Sequence, residues 1–132
     1  MKLDEKAAEL HAGGCNCAQS VLGACSGICG LDEETAKGVG AGFGGGIGCG
    51  EICGAVAGGV MAIGCAFAGG GQKGSSDAAK VKTLRTELVE GVRQKFGAVT
   101  CRELKTPGKA VPCGELIGYC AKTAGDIIDN NK

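Results

Sequence analysis

The sequence predicts an all-α protein. Three observations carry that reading. No run of β-branched or aromatic residues alternates with polar ones, so no strand announces itself. Apolar residues recur three and four apart through most of the chain, and helix-start signatures are frequent. The 132 residues suffice for one domain with a single hydrophobic core. A helical bundle of about five to six helices around a glycine-rich central segment is expected, with residues 1–132 as one domain.

Leu3, Ala7 and Leu10 share one face of a first helix over 3–12, which stops at Gly13-Gly14. Asn16 with Gln19 forms a capping box that opens a second helix, striped by Cys17, Val21, Ala24, Cys25 and Ile28. Asp32 caps a third, with Leu31 and Ala36 placed as a hydrophobic staple. Residues 53–68 read as a buried helix with Val56, Val60, Ile63 and Phe67 on one face, ending in the loop Gly69-Gly70-Gly71. Ser75 or Ser76 starts an amphipathic helix with Val81, Leu84, Leu88 and Val92 inward and Lys80, Arg85, Glu90 and Arg93 outward. Thr100 with Glu103 is a second capping box, and Pro112 precedes a last helix carrying Leu116, Ile117, Cys120, Ala124, Ile127 and Ile128.

Glycine recurs every fourth residue at Gly38, Gly42, Gly46, Gly50, Gly54 and Gly58. In a helix, small residues four apart make a flat face that lets another backbone approach. Each glycine also costs about 1 kcal/mol of helix stability, so a break is expected around Gly44-Gly45-Gly46, with backbone N–H groups exposed near a bound group. Gly40-Ala41-Gly42-Phe43-Gly44-Gly45 matches a dinucleotide fingerprint but lacks the preceding strand that gives it meaning.

Composition narrows the function. Fourteen basic and fourteen acidic residues cancel, whereas nucleic-acid binders carry a basic excess. Twenty-seven glycines accompany only two prolines and an apolar fraction of 44%, which points to small-residue packing rather than disorder. Residues 52–72 carry no charge, but seven of the twenty from 52 to 71 are glycine and no Trp or Tyr belt flanks them. A buried helix is expected there rather than membrane insertion.

Ten cysteines then become the dominant feature. Met1-Lys2-Leu3-Asp4-Glu5-Lys6 has no apolar signal-peptide core, and several cysteines lie inside helical patterns. Reduced, cytoplasmic thiols with metal or redox chemistry are the expectation. No C-x-x-C occurs, which argues against a zinc ribbon or a thioredoxin-type pair, and C-x-x-C-H is missing too. The single histidine, His11, suits a solvated or helix-capping role rather than a ligand's. Cys25/Cys29 and Cys49/Cys53 have i,i+4 spacing and share a face wherever a helix runs through both members. Cys25, Cys29 and Cys65 read as small buried apolar residues.

Four cysteines share a more specific context. Cys17, Cys53, Cys101 and Cys113 each fall at or just inside a predicted helix N-terminus. The positive end of the helix dipole and its free N–H groups stabilise a thiolate. Four such ends meeting in space would make a pocket for a sulfur-rich anion, such as an iron–sulfur cluster ligated by four cysteines. Glycines at 46, 50 and 54 would let backbone amides approach its sulfurs.

Three blocks carry a family resemblance: Gly14-Cys15-Asn16-Cys17-Ala18-Gln19-Ser20-Val21-Leu22, Gly42-Phe43-Gly44-Gly45-Gly46-Ile47-Gly48, and Gly50-Glu51-Ile52-Cys53-Gly54-Ala55-Val56-Ala57-Gly58-Gly59. They resemble the small proteins named for a C-GCAxxG-C-C cysteine pattern and taken to be redox-active, and Cys101-Arg102-Glu103-Leu104 resembles the third-cysteine block of that pattern. The likeness runs over essentially the whole chain. It implies an α-helical redox protein with four characteristic cysteines that carries an iron–sulfur cluster, and a relation to a helical module of split-Soret cytochromes, whose haem-attachment motifs are missing here. Carried over by position, those cysteines are Cys17, Cys53, Cys101 and a last one, for which Cys113-Gly114-Glu115-Leu116-Ile117 fits better than Cys120. Cys49, beside the motif, leaves room for a fifth thiol or a switchable pair, and Cys15 is a further alternative.

The function expected is electron transfer or redox sensing through an iron–sulfur cluster of unspecified nuclearity. The alternatives are metal-free thiol–disulfide exchange by Cys49 and Cys53 or by Cys17 and Cys53, and a structural zinc or interaction module. A redox partner protein is implied, and the glycine face could serve a homodimer.

Overall fold

In the computed structural model the described residues are 2–67 and 76–132. The anticipated loop Gly69-Gly70-Gly71 and the candidate cap Ser75 lie outside them. Among the described residues seven α-helices form: α1 (Leu3–Ala12), α2 (Cys17–Cys29), α3 (Glu33–Gly40), α4 (Gly54–Phe67), α5 (Ser76–Phe96), α6 (Cys101–Leu104) and α7 (Cys113–Asn130). A wide π-type turn spans Gly46–Gly50. The all-α expectation holds. The count exceeds five to six because α3 and α6 are short helices, closed by local caps rather than by long apolar stripes.

Those caps are the ones that the sequence displays. The Asn16 side chain accepts from the Gln19 amide at 2.8 Å, and the Asn16 amide donates to the Gln19 side chain at 2.9 Å. Asp32 accepts from the Thr35 amide at 3.0 Å, and Thr100 Oγ1 accepts from the Glu103 amide at 3.2 Å. Each bond satisfies an N–H that the first helical turn leaves without an internal partner. At the other end of α2, Gly30 takes a left-handed conformation (φ 80°) that terminates the helix.

Helix α2 is central and packs against α1, α3, α4 and α7, while α4 is enclosed by α2, α5 and α7. Leu22, Ile63, Leu88, Leu104, Leu116 and Ile117 fill the core. Glycine makes the α2–α4 and α2–α3 contacts close. A Cβ on Gly58 would stand 2.9 Å from the Ala18 carbonyl oxygen, and one on Gly40 would stand 2.9 Å from the Gln19 amide nitrogen. The four-residue glycine period is therefore used in two ways. Gly54 and Gly58 form a helical packing face, whereas the expected break occupies the segment between α3 and α4.

That break is pronounced. Gly45, Gly46, Gly48 and Gly50 all have positive φ, and so does Ile47 (φ 60°, ψ 34°). A β-branched residue is sterically penalised there, and the Ile47 side chain is 56% exposed. No helix among the described residues is long and apolar enough to cross a membrane.

Candidate functional site

A two-residue pairing draws the first two cysteines together. Ile52 and Thr100 form an isolated antiparallel bridge. The Cys53 amide donates to the Val99 carbonyl at 2.8 Å, and the Cys101 amide donates to the Glu51 carbonyl at 2.7 Å. In such a pair, residues one step either side of the bridge point to the same face. Cys53 and Cys101 are therefore diagonal neighbours, although 48 positions separate them in sequence. Neither cysteine motif nor helix periodicity signals this bridge; its only trace is β-branched Ile52 facing Val99-Thr100.

Cys53 is also the cap of α4. Its carbonyl accepts the Ala57 amide at 3.0 Å, and its sulfur receives the amides of Ala55 and Val56, which favour the thiolate. Burial outweighs them and holds the Cys53 thiol above its ordinary range, with Cys101 and Cys113 adding like-charge repulsion. Gly54, the next residue, lies against the first turn of α2: a Cβ there would be 3.3 Å from the Cys17 Cβ. The amides that reach the sulfur are thus those of residues 55 and 56, while Gly54 supplies the close helix contact.

Cys17 and Cys113 are the first residues of α2 and α7. Their thiols are near enough that ionising one disfavours ionising the other. Burial pushes the Cys17 thiol up to about 12, reinforced by Cys113 and Cys53 and opposed by the nearby Lys105 ammonium. Lys105 is a participant that the sequence does not announce. Its ammonium donates to the Val111 carbonyl, and the Val111 amide donates to the Leu104 carbonyl at 2.9 Å, closing the loop that delivers Cys113.

Cys53 therefore lies within electrostatic reach of Cys17, Cys101 and Cys113, and Cys17 within reach of Cys113, with the four at the starts of four different helices. Cys53 is 4% exposed and the other three are half-buried, so the group opens to the surface over a dry floor. Cys120 is part of that floor. Fully buried on α7, it is raised by desolvation first and then by Cys53, Cys17 and Cys25.

The donor chemistry suits a soft, thiophilic metal centre. The spacing does not suit one bare ion: among the described residues no group of three or more Cys, His, Asp or Glu side chains stands close enough to hold a metal ion. A tetrahedral zinc site would need its sulfurs within about 3.8 Å of one another. In a four-iron cluster each thiolate meets its own iron, so the sulfurs stand farther apart.

The remaining cysteines separate from this group. Cys49 belongs to the Gly46–Gly50 turn, and its thiol donates to the Gly46 carbonyl at 3.4 Å. No helix runs through both Cys49 and Cys53, so their four-residue spacing gives them no common face. Gly46 and Gly50 shape this turn: a Cβ on Gly46 would lie 2.5 Å from the Glu51 amide nitrogen, and one on Gly50 would lie 3.2 Å from the Arg102 Cβ. Arg102 fastens the turn by donating to the Cys49 carbonyl at 3.0 Å. Cys15 precedes α2, and its carbonyl faces the exposed His11 Nδ1 at 3.0 Å, a bond that ties the α1–α2 connection rather than capping a helix. Cys25 and Cys29 are buried as expected, but Cys65 is exposed. Helix α4 is apolar on nearly every side, so the sequence pattern could not tell its outer face.

A family model described as putative redox-active protein, C_GCAxxG_C_C, matches residues 15–127, a span that holds all four site cysteines. No curated protein and no solved structure matches the chain.

Proposed function

The chain belongs to the C_GCAxxG_C_C family, and from that premise we propose that it is an electron carrier or redox sensor whose iron–sulfur cluster is held by Cys17, Cys53, Cys101 and Cys113. The observation that carries this reading is the meeting of these four thiols at four helix starts, with the Ala55 and Val56 amides aimed at the Cys53 sulfur. When bound, such a cluster supplies a one-electron couple at the surface of the protein.

The chain's own groups do the rest. Each thiol gives up its proton when it takes iron, so loading releases protons and strengthens as pH rises. The amides at residues 55 and 56 donate to the Cys53 sulfur and favour additional negative charge, which raises the potential. Lys105 acts in the same direction at Cys17. Buried Cys120 and the packed first turn of α2 exclude water from beneath the thiols.

Anaerobic purification with iron and acid-labile sulfide analysis tests the proposal. The parent should be coloured and contain both, and Cys53→Ser should lose both while staying folded. Colourless parent protein that takes up neither iron nor sulfide on anaerobic reconstitution would overturn it.

The proximity of the Cys17 and Cys113 thiols favours a second reading, a metal-free dithiol that closes to a disulfide. It stands beside the Cys17–Cys53 pair considered from sequence, whereas Cys49–Cys53 lacks the common helix face that its spacing suggested. Alkylation of reduced and oxidised samples, followed by mass spectrometry, identifies it by joint protection of Cys17 and Cys113.

A further inference from the structure

Helices α2 and α4 carry cysteines at both ends. Gly54 lies beside Cys17, Gly58 beside Val21, and the Cys65 thiol beside Cys29, so the two helices run side by side in the same direction. Cys17 to Cys29 and Cys53 to Cys65 are both twelve steps. At 1.5 Å per residue, about 18 Å of helix separates the two ends. One end holds the four-cysteine site and the other holds a separate pair of thiols.

This second pair is in direct contact. The Cys65 thiol donates to the Cys29 carbonyl at 3.2 Å, the Cys29 thiol donates to the Ser26 carbonyl at 3.6 Å, and the two thiols lie within electrostatic reach of each other. Their accessibilities differ sharply: Cys65 is exposed, whereas Cys29 is only 5% exposed. That asymmetry is what a stepwise exchange requires, with an outer thiol reached by an external disulfide and an inner one reached only by its neighbour. Cys29 closes α2 immediately before the left-handed Gly30, so its backbone is at a helix end, where adjustment costs less than in a helix interior. Burial and the nearby Cys65 push the Cys29 thiol up to about 11, which keeps it protonated until a partner sulfur is presented.

We propose that Cys29 and Cys65 form a second redox centre, a dithiol that exchanges with low-molecular-weight disulfides at the end of the bundle opposite the four-cysteine site. The Cys65 thiolate attacks one sulfur of the external disulfide, forming a mixed disulfide and releasing the first small thiol. Cys29 then loses its proton, and its sulfur attacks the Cys65 sulfur, releasing the second. Two protein thiols are oxidised to one disulfide, and one external disulfide is reduced to two thiols. The product ties α2 to α4 and closes a covalent loop over residues 29–65, which contains α3, the Gly46–Gly50 turn and Cys53.

Oxidised glutathione is the probe. Reduced full-length protein is incubated with it anaerobically, quenched with N-ethylmaleimide, digested, and assigned by fragment-ion sequencing. A Cys29–Cys65 linkage is expected, with both residues protected from alkylation. Cys29→Ser should trap glutathione on Cys65, and Cys65→Ser should leave Cys29 fully alkylated after denaturation. The same linkage is expected in Cys53→Ser protein, so the outcome does not depend on what the four-cysteine site holds. Persistent glutathione on Cys65 of the parent, or a linkage of either residue to another cysteine, would overturn the proposal.

Discussion

Replacing Gly54 with alanine should cost stability, although alanine is the better helix former. The new Cβ would lie 2.9 Å from the Phe43 carbonyl oxygen, 3.2 Å from the Ala18 amide nitrogen and 3.3 Å from the Cys17 Cβ. The two nearest atoms are backbone, so no side-chain rotation makes room and α2 must move away from α4. Overpacking of this kind costs about 1–3 kcal/mol. The helix preference of alanine returns less than about 1 kcal/mol at a first helical position. The net loss is about 1–2 kcal/mol, which lowers Tm by about 4–10 °C for a domain of this size. Gly64 is the control. It lies in the same helix with no atom of the described residues within 4 Å of an added Cβ, so Gly64→Ala should gain up to about 1 kcal/mol. Thermal unfolding by far-ultraviolet circular dichroism separates the two. Equal rises in Tm would refute the packing account. Because the displaced atoms include the Cys17 Cβ, iron loading of Gly54→Ala should fall further than its folded fraction; parental loading per folded molecule would detach Gly54 from the site.

Three other outcomes are expected. Metal-free protein should lose stability as pH rises from about 9 toward 12, because burial holds the Cys25 thiol near 12 while the unfolded chain ionises near 9 and binds fewer protons; Cys25→Ala should flatten the slope by up to about 1.4 kcal/mol per pH unit in denaturant titrations. Ile47→Gly should raise Tm slightly, since relief of the left-handed conformation is worth about 1–2 kcal/mol against about 0.5–1 kcal/mol of added chain entropy; a clear fall in Tm would contradict the assigned strain. Lys105→Met should slow alkylation of Cys17 relative to the parent, because it removes the positive charge that favours the thiolate; an unchanged rate would remove Lys105 from the site.

What could be read from the sequence was local. The Asn16–Gln19 box, the Asp32 cap and the Thr100 cap depend on residues three apart and all form, but the expected Thr100–Glu103 box is only half made, because the Glu103 carboxylate accepts from the Thr100 hydroxyl rather than its amide. The helix-start placement of Cys17, Cys101 and Cys113 followed from those signals and from Pro112. Two kinds of information were missing. The Ile52–Thr100 bridge joins segments nearly fifty residues apart by backbone bonds, which leave no side-chain period. The exposure of Cys65 was hidden because Gly, Ala and Val surround α4 and blur its inner and outer faces. Cys49 shows the limit of spacing arguments, since its relation to Cys53 required a helix that the positive-φ residues of the Gly46–Gly50 turn prevent.

The electrostatics of the four-cysteine group bear on what it is built to hold. Burial disfavours the Cys17 thiolate, and Cys113 and Cys53 disfavour it further. Burial holding the Cys17 thiol near 12 keeps it protonated at neutral pH, which disfavours it as the first attacking thiol in disulfide exchange. Cys53 is opposed in the same way by its burial and by Cys101 and Cys113. Helix-start amides offset this only in part. Each repulsive contribution is outweighed once cationic iron stands among the sulfurs, because several thiolates gathered at one place then share the attraction to the positive charge. On the proposed reading, these thiols stay neutral alone and would ionise together with a cation. That preference supports the cluster-bearing reading over the metal-free one.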